Sequence, residues 1–184
     1  MTLVTRPAVA DDVPGLARVH VASWRETYRG VMPDSVLDDD GLVARRERFW
    51  TAALTDERYR ANRVATTTSD GTVVGVAMSG PPLDDDATWQ QQLYVLYTYR
   101  AIHGRGAGAA LLRAVLDPSD DAALWVADPN PRAQAFYLRQ GFAFDGTTRL
   151  EDGVHELRMT RPARHHAGRS RAAAREAPGD TNEI

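Results

Sequence analysis

The sequence predicts an α/β fold in a single domain, and three observations support this prediction. Segments that suit strands alternate with segments that suit helices along most of the chain. The length of 184 residues fits one domain with a sizeable core. Within residues 93–112, a β-rich run leads through a glycine-dense turn into an Ala/Leu-rich helix. That succession is typical of α/β proteins that bind a phosphate group.

Seven segments are predicted to be strands. They are residues 3–7, 63–68, 72–79, 91–99, 122–126, 142–148 and 155–161. The second and third flank the sequence Ser-Asp-Gly, and the last two are joined through Glu-Asp-Gly. Both connections have the residues of tight turns, so each pair is predicted to form a hairpin.

Four segments are predicted to be helices. Asp11 or Asp12 offers an N-cap for the first, whose apolar residues recur every three or four positions until Gly30 ends it. The other three are residues 42–54, the segment from the glycine turn to about Leu116, and residues 131–140.

Composition excludes several classes of function. The net charge of −3 gives no electrostatic basis for nucleic-acid binding. No apolar run approaches the ~20 residues that span a bilayer, and the first residues do not read as a signal peptide, so a cytoplasmic protein without membrane contact is expected. The chain has no Cys, which excludes a cysteinyl acyl intermediate.

The character of the chain changes at Pro162. Residues 1–161 are predicted to form the domain, and residues 162–184 a flexible Arg/Ala-rich tail, because the tail has almost no large apolar residues to bury. His165 and His166 are adjacent, but two ligands on a mobile segment make a poor metal site. No metal is therefore predicted.

The glycine turn is the most informative segment for function. Residues 103–108 read H-G-R-G-A-G, and glycines there let backbone N–H groups approach an anion at the start of a helix. A Walker-type loop is excluded because the chain has no Lys. Gly104, Gly106 and Ala109, with Asp128 downstream, also match a dinucleotide fingerprint, but too little chain follows to complete a doubly wound sheet.

A second motif lies downstream of the turn. Residues 130–142 read N-P-R-A-Q-A-F-Y-L-R-Q-G-F after a short strand. Together the two motifs resemble motifs A and B of the GNAT superfamily of acyl-CoA-dependent N-acyltransferases, with His103 in place of the usual Gln or Arg. The resemblance implies a central mixed, mostly antiparallel sheet of about seven strands flanked by about four helices.

The resemblance also implies an activity: transfer of an acetyl group from acetyl-CoA directly to a primary amine, most simply on a small molecule. Dimers are common in the family, so a homodimer is allowed. Two alternatives stay open, a protein or peptide N-acetyltransferase and a non-catalytic acyl-CoA-binding regulatory protein. Departure from the family's pattern at residue 92 favours the non-catalytic alternative, whereas retention of Tyr137 in its full motif favours an enzyme.

The resemblance assigns a set of residues to the cofactor. Backbone N–H groups around the turn hold the pyrophosphate, and the N–H of Thr98 polarises the thioester carbonyl. The residues expected at the cofactor are Thr98, Tyr99, Arg100, His103, Gly104, Arg105, Gly106, Ala107, Gly108, Ala109, Asn130, Ala133, Phe136 and Tyr137. Asn130 also suits a helix N-cap, and both roles are compatible.

Tyr137 matches the family's general acid, which protonates the departing CoA thiolate; the alternative is a packed aromatic residue. The base is unresolved. The family's usual Glu is replaced by Gln92, which could order a water molecule. Glu26 and His20 are the other candidates, although a solvated acid and an amphipathic-helix residue are the simpler interpretations.

The acceptor is the least determined part of the site. Trp24, Tyr28 and Trp89 are predicted to contact it, because the resemblance places the first helix and the loop before the central strand at the acceptor pocket. Residues 84–86, all Asp, could attract a cationic amine. Core aromatics and a solvated acidic loop are the alternatives.

Overall fold

The computed structural model describes residues 2–163, so the predicted tail from residue 164 onward, with His165 and His166, lies outside the described residues. The strands are β1 (Leu3–Pro7), β2 (Arg63–Ser69), β3 (Thr72–Gly80), β4 (Gln91–Thr98), β5 (Ala122–Ala127), β6 (Ala143–Glu151) and β7 (Val154–Arg161). The helices are α1 (Val13–Tyr28), α2 (Asp34–Leu37), α3 (Leu42–Thr55), α4 (Ala107–Val115) and α5 (Pro131–Arg139).

The seven strands form one sheet in the order β1-β2-β3-β4-β5-β7-β6. Every neighbouring pair is antiparallel except β4 and β5, which are parallel. The mixed, mostly antiparallel α/β sheet predicted from the sequence is confirmed. The helix that the prediction lacks is α2, a single turn of four residues and too short to show a helical period.

Helices cover both faces of the sheet. Alternating side chains of β3 divide between two cores, with Val76 and Met78 packing under α1 and α3 and Ala77 packing under α4. Fully buried side chains of the first core include Leu16, Val19 and Trp50. Those of the second include Leu111, Leu124 and Met159.

A β-bulge interrupts β4 at Tyr94. Met78 of β3 pairs with Val95, but the next residue, Ser79, pairs with Leu93, so Tyr94 has no partner in the register. The extra residue shifts the alternation of side chains: Leu93 packs in the core under α4, whereas Val95 packs in the core under α1. A bulge of this kind bends its strand.

Beyond the bulge, β4 and β5 separate. Their pairing is confined to three residues each, Gln91 with Ala122, Gln92 with Ala123 and Leu93 with Leu124. On its other side β5 stays paired with β7 along its whole length. The remainder of β4 therefore has one free edge inside the sheet, and this separation creates the space described below.

The predicted N-cap residue Asp12 is used differently from expectation. Its carboxylate accepts two hydrogen bonds from Arg6 of β1, at 2.7 and 2.8 Å, and one from the N–H of Val9 at 2.9 Å. It makes no capping bond to α1. The side chain thus ties the edge strand to the start of α1. Among the described residues, no helix is both long and apolar enough to cross a membrane.

Candidate active site

A cleft of about 510 Å³ opens where β4 and β5 separate. The two strands form its walls, the start of α4 and the exposed turn before it lie at one end, and α5 and the last turns of α1 complete it. Its lining includes residues predicted from both sequence motifs, which the fold therefore brings together.

The free edge of β4 presents backbone groups to the cleft. The N–H of Tyr99 donates to the carbonyl of Val74 in β3 at 3.1 Å. Because successive amides point to opposite sides of a strand, the N–H groups of Thr98 and Leu96 point away from β3 and toward β5. Thr98 was predicted from the sequence, whereas Leu96 was missed because no residue type marks a backbone donor.

The glycine turn leads directly into α4. Gly104 and Gly106 have φ values of +76° and +84°, a region that residues with a Cβ rarely adopt. Apart from the adjacent residues of the chain, no atom lies within 4 Å of where a Cβ would be. The first amides of α4 have no intrahelical acceptor and lie at the positive end of the helix dipole. Gly106, Ala107, Gly108 and Ala109 line the cleft, so these donors face an open space.

Arg132 is a cleft residue that the sequence analysis missed. Its guanidinium, which can only donate, lies 3.0 Å from Nε2 of His103, a contact that suits a neutral imidazole with this nitrogen as the acceptor. The same nitrogen lies 3.3 Å from the carbonyl oxygen of Thr98. Burial, and then the charge of Arg132, lowers the pKa of His103. An arginine in the first turn of a helix that follows Asn130 was the available signal.

Tyr137 lines the cleft from α5 and is almost completely buried. Its ring packs edge-on against Phe136 and Phe142, with centroids 5.1 and 6.0 Å away. Burial, with a smaller effect of Tyr97, raises the pKa of Tyr137 above its ordinary value. The hydroxyl therefore keeps its proton at neutral pH, as a proton donor must.

Asn130 begins α5 in the way the sequence predicts. Its side-chain oxygen accepts a hydrogen bond from the N–H of Ala133 at 3.2 Å, which is the geometry of an N-cap. Asn130, Ala133 and Phe136 all line the cleft. The N-cap prediction is confirmed, and contact with a cofactor remains a prediction.

Aromatic side chains lie on the α1 side of the cleft. Nε1 of Trp24 donates to the hydroxyl oxygen of Tyr97 at 3.0 Å. Burial raises the pKa of Tyr97, and hydrogen bonds from Trp24 and Tyr28 oppose that rise. Tyr28 and Tyr97 line the cleft, whereas Trp24 lies behind them.

The three candidate bases have different surroundings. Glu26 is exposed and is the only carboxylate among the described residues that line the cleft. Gln92 is buried in the paired part of β4, away from the cleft lining, and its side-chain oxygen accepts the N–H of Leu83 at 2.8 Å. His20 is buried between α1 and α3 and does not line the cleft. Gln92 is thus not placed to order a water molecule at the cleft.

Several predicted contacts are not brought to the cleft. Trp89 is 9% exposed and lies under the guanidinium of Arg158, 4.9 Å from its ring centroid, so the structure does not support an acceptor contact there. The acidic loop is largely engaged: Asp86 pairs with Arg158 at 2.7 Å, and Asp84 accepts from Trp125. Arg158 and Trp125 thus use the carboxylates of Asp86 and Asp84 within the fold.

Tyr99, Arg100 and Arg105 also lie outside the lining. Tyr99 packs against Val74 and Ile102, and the two arginines are exposed, Arg100 before the turn and Arg105 within it. Within residues 2–163 no group of three or more His, Cys, Asp or Glu side chains is arranged to hold a metal ion.

This combination of a separated β4–β5 pair, a glycine turn and a following helix defines a family of acyltransferases. Residues 20–142 match the model of the acetyltransferase (GNAT) family. The chain therefore belongs to that family, and the resemblance stated from the two sequence motifs is confirmed.

Relatives with curated descriptions support an acyltransferase. The chain is 28% identical over 147 residues to a probable N-acetyltransferase of Mycobacterium tuberculosis, an alignment that covers 78% of this chain and 81% of that protein. It is 37% identical over 107 residues to an uncharacterized N-acetyltransferase of Mycobacterium bovis, covering 55% of this chain and 64% of the relative.

Solved structures show the same fold at lower identity. The PaiA N-acetyltransferase of Thermoplasma acidophilum, solved with coenzyme A, superimposes with a TM-score of 0.66 at 16% identity over 86% of this chain and 98% of that chain. An acetyltransferase of Corynebacterium glutamicum gives a TM-score of 0.67 at 22% identity, over 91% and 100% of the two chains.

Proposed function

We propose that this protein is an N-acetyltransferase that moves an acetyl group from acetyl-CoA directly to a primary amine of a small molecule, within a ternary complex. The observation that carries the proposal is the cleft between β4 and β5, because it joins the N-terminus of α4, a free strand edge and a buried, protonated tyrosine. A thioester of CoA has a group to match each of these: a pyrophosphate, the pantetheine amides and the thiolate that leaves.

The donor's position follows from these features. The pyrophosphate lies at the first amides of α4, with positive charge from Arg132 nearby and Arg105 in the turn. The pantetheine amides pair with the free edge of β4, beside Asn130, Ala133 and Phe136. The N–H groups of Leu96 and Thr98 are the donors available to the thioester carbonyl. Tyr99 and Arg100 adjoin the entrance to the cleft.

The chemistry needs three groups from the protein. The amine nitrogen bonds to the thioester carbon, and the oxyanion that forms accepts a hydrogen bond from the strand edge, a stabilisation of about 3–4 kcal/mol for one such donor. The C–S bond then breaks. Tyr137 donates its proton to the thiolate, and Glu26, the only carboxylate lining the cleft among the described residues, takes up the proton that the amine releases.

A second function has one observation in its favour. Gln92 occupies the position of the family's usual base, and its side-chain oxygen is used within the fold. A protein that binds acyl-CoA without turning it over would keep the glycine turn and tolerate this change. The retained Tyr137 in the cleft favours the enzyme.

Two measurements made in parallel test the proposal. Calorimetry with acetyl-CoA, CoA and NADH is expected to show micromolar binding of both CoA species and none of NADH, because NADH lacks a pantetheine arm for the strand edge. A thiol-release assay with a panel of primary amines should then show turnover. CoA binding without release for any amine favours the non-catalytic alternative, and absence of CoA binding refutes both.

A further inference from the structure

A group of buried polar atoms beside the cleft has no partner within the protein. Both ring nitrogens of His20, Nε1 of Trp50 and Nε of Arg46 are buried without a hydrogen-bond partner among the described residues. His20 is 3% exposed. Buried polar groups are ordinarily paired, so four such atoms on adjoining side chains indicate a missing partner.

These side chains lie around His20, on the α1 side of the cleft, and Tyr97 connects them to its lining. The ring of His20 lies 5.8 Å from that of Trp50, 5.1 Å from that of Trp24 and 4.8 Å from that of Tyr97, which lines the cleft. The guanidinium of Arg46 stacks 4.4 Å above the ring of Trp24. We call Arg46, Trp24, Tyr97, His20 and Trp50 the α1–α3 cluster.

Almost all of the unpaired hydrogen-bonding groups in the cluster are donors. The hydroxyl oxygen of Tyr97 already accepts from Trp24, and Tyr28 donates to the same oxygen, so its remaining function is to donate its own proton. Arg46 and Trp50 can only donate through their side chains. A neutral His20 offers one donor and one acceptor.

The charge of Arg46 is also uncompensated by direct contact. Its neighbour Arg45 pairs with Asp39 at 3.2 Å, whereas Arg46 makes no ion pair with any residue in the described part of the chain. Burial, opposed in part by Tyr97, lowers the pKa of Arg46; of the charged groups around it, Arg45 acts in the same direction and Asp152 in the opposite one. The cluster therefore carries a positive charge and several donors.

We propose that the α1–α3 cluster binds a carboxylate of the acceptor, so that the acceptor is an amine that also carries a carboxylate. This rests on the proposed acetyltransferase function. Arg46 and the Tyr97 hydroxyl hold the carboxylate, and Glu26, the carboxylate among the described residues that line the cleft, attracts the amine. A peptide N-terminus lacks the free carboxylate beside its amine and does not meet this requirement.

Calorimetry on the CoA-saturated protein tests the site without turnover. The probes are 3-phenylpropanoate and the neutral 3-phenylpropanamide, whose rings suit the aromatic surroundings equally. We expect the carboxylate to bind about tenfold more tightly than the amide, the effect of one charged hydrogen-bonding partner. Equal affinities, or no carboxylate binding because water alone fills the site, overturn the proposal.

Variants assign the effect to the cluster. Arg46→Gln should abolish the preference for the carboxylate, and Arg45→Gln, the matched change one residue earlier, should keep it. Tyr97→Phe removes only the hydroxyl and should weaken binding of the carboxylate but not of the amide. Arg46→Lys, which keeps the charge and the stem, should retain a preference if Arg46→Gln fails to fold. A preference that survives both Arg46→Gln and Tyr97→Phe overturns the assignment.

An acetylation assay separates this inference from the proposed function. Phenylalanine should be a better acceptor in kcat/KM than phenylalaninamide, and Arg46→Gln should remove the difference while leaving CoA affinity unchanged. A protein that acetylates both equally is an acetyltransferase without the carboxylate site. A protein that does not bind CoA refutes the proposed function itself.

Discussion

Tyr97 and Tyr137 both line the cleft but pack on opposite faces of the sheet, and their surroundings differ. Tyr97 packs with the α1 and α3 core and accepts a hydrogen bond from Trp24. Tyr137 packs with the α4 and α5 core, between the rings of Phe136 and Phe142. Of these two, Tyr137 is on the face of α4 and its glycine turn, where we propose that the donor binds, so it is the hydroxyl proposed to protonate the CoA sulfur.

Tyr137→Phe is therefore expected to lower kcat by about 100- to 10,000-fold, the usual contribution of a general acid, while CoA affinity changes little. Because burial raises the pKa of Tyr137, the wild-type enzyme should not lose this proton below pH ~10. A thiol-release assay measures the change in kcat, and calorimetry measures the affinity for CoA. Tyr59→Phe, outside the cleft, is the control, and unchanged turnover in Tyr137→Phe would rule out the general acid.

At the level of elements, the turn before α4 depends on backbone conformation more than on side chains. Gly106 precedes the first residue of α4 with a positive φ, and the space around it is open. Gly71, in the hairpin between β2 and β3, has nearly the same φ of +78° and equally open space, but it does not line the cleft. Both glycines therefore need a positive φ, but only Gly106 faces the cleft.

Gly106→Ala and Gly71→Ala should each lower the free energy of unfolding by about 1–2 kcal/mol, the cost of placing a Cβ in the left-handed region. Only Gly106→Ala is expected to weaken CoA binding, by about tenfold or more, because its new methyl group would stand where we propose that the pyrophosphate binds. Denaturant unfolding and calorimetry separate the two effects. Equal loss of CoA affinity in both variants would contradict the position assigned to the pyrophosphate.

At the scale of the whole molecule, the sheet remains hydrogen-bonded on both sides of the gap between β4 and β5. β5 remains fully paired with β7, and β4 with β3, while α1 spans the far side from β1 toward the cleft. Arg6 and Asp12 fix the start of α1 to the edge strand through a two-bond ion pair. The other end of α1 is held by separate contacts, in which Trp24 donates to the hydroxyl of Tyr97 and Arg25 to the carbonyl of Leu37.

Asp12→Asn is expected to lower the free energy of unfolding by about 1–2 kcal/mol; the value is kept low because the Arg6 side chain is 39% exposed and its charge is screened. Asp11→Asn, at the exposed neighbouring position, should have little effect. Urea unfolding at pH 7 makes this comparison. A loss as large in Asp11→Asn would show that the ion pair is not the cause.

The same pair gives the stability a pH dependence. The hydrogen bonds from Arg6 hold the pKa of Asp12 below its ordinary value, with burial acting in the opposite direction. The stabilisation is therefore complete above the unfolded pKa of ~4 and is lost as the pH falls through the lower folded pKa. Wild type and Asp12→Asn should differ by a constant amount above about pH 5 and converge in more acidic solution. A constant difference down to pH 2 would contradict this.

The sequence by itself determined the elements and their chemistry-bearing motifs. Strand and helix positions follow local patterns of residues. The glycine turn, Asn130 and Tyr137 belong to motifs that can be recognised from the spacing of residues along the chain. Their meeting at one cleft is predictable once the family is recognised, because the two motifs lie on adjacent segments. The approximate order and number of strands were predictable for the same reason.

Only the tertiary structure decided which side chains outside the motifs face the cleft. Gln92 and Trp89 were predicted to be site residues from their positions in the sequence, but their side chains are buried away from the cleft. Gln92 accepts a hydrogen bond from the N–H of Leu83, and the ring of Trp89 packs under Arg158. The strand-edge N–H of Leu96 and the role of Arg46 were not predicted, because they depend on the separation of β4 from β5 and on contacts between α1 and α3. Arg132 lies within a recognised motif, but its contact with His103 joins residues far apart in the chain. Those are long-range contacts, which no local pattern of residues encodes.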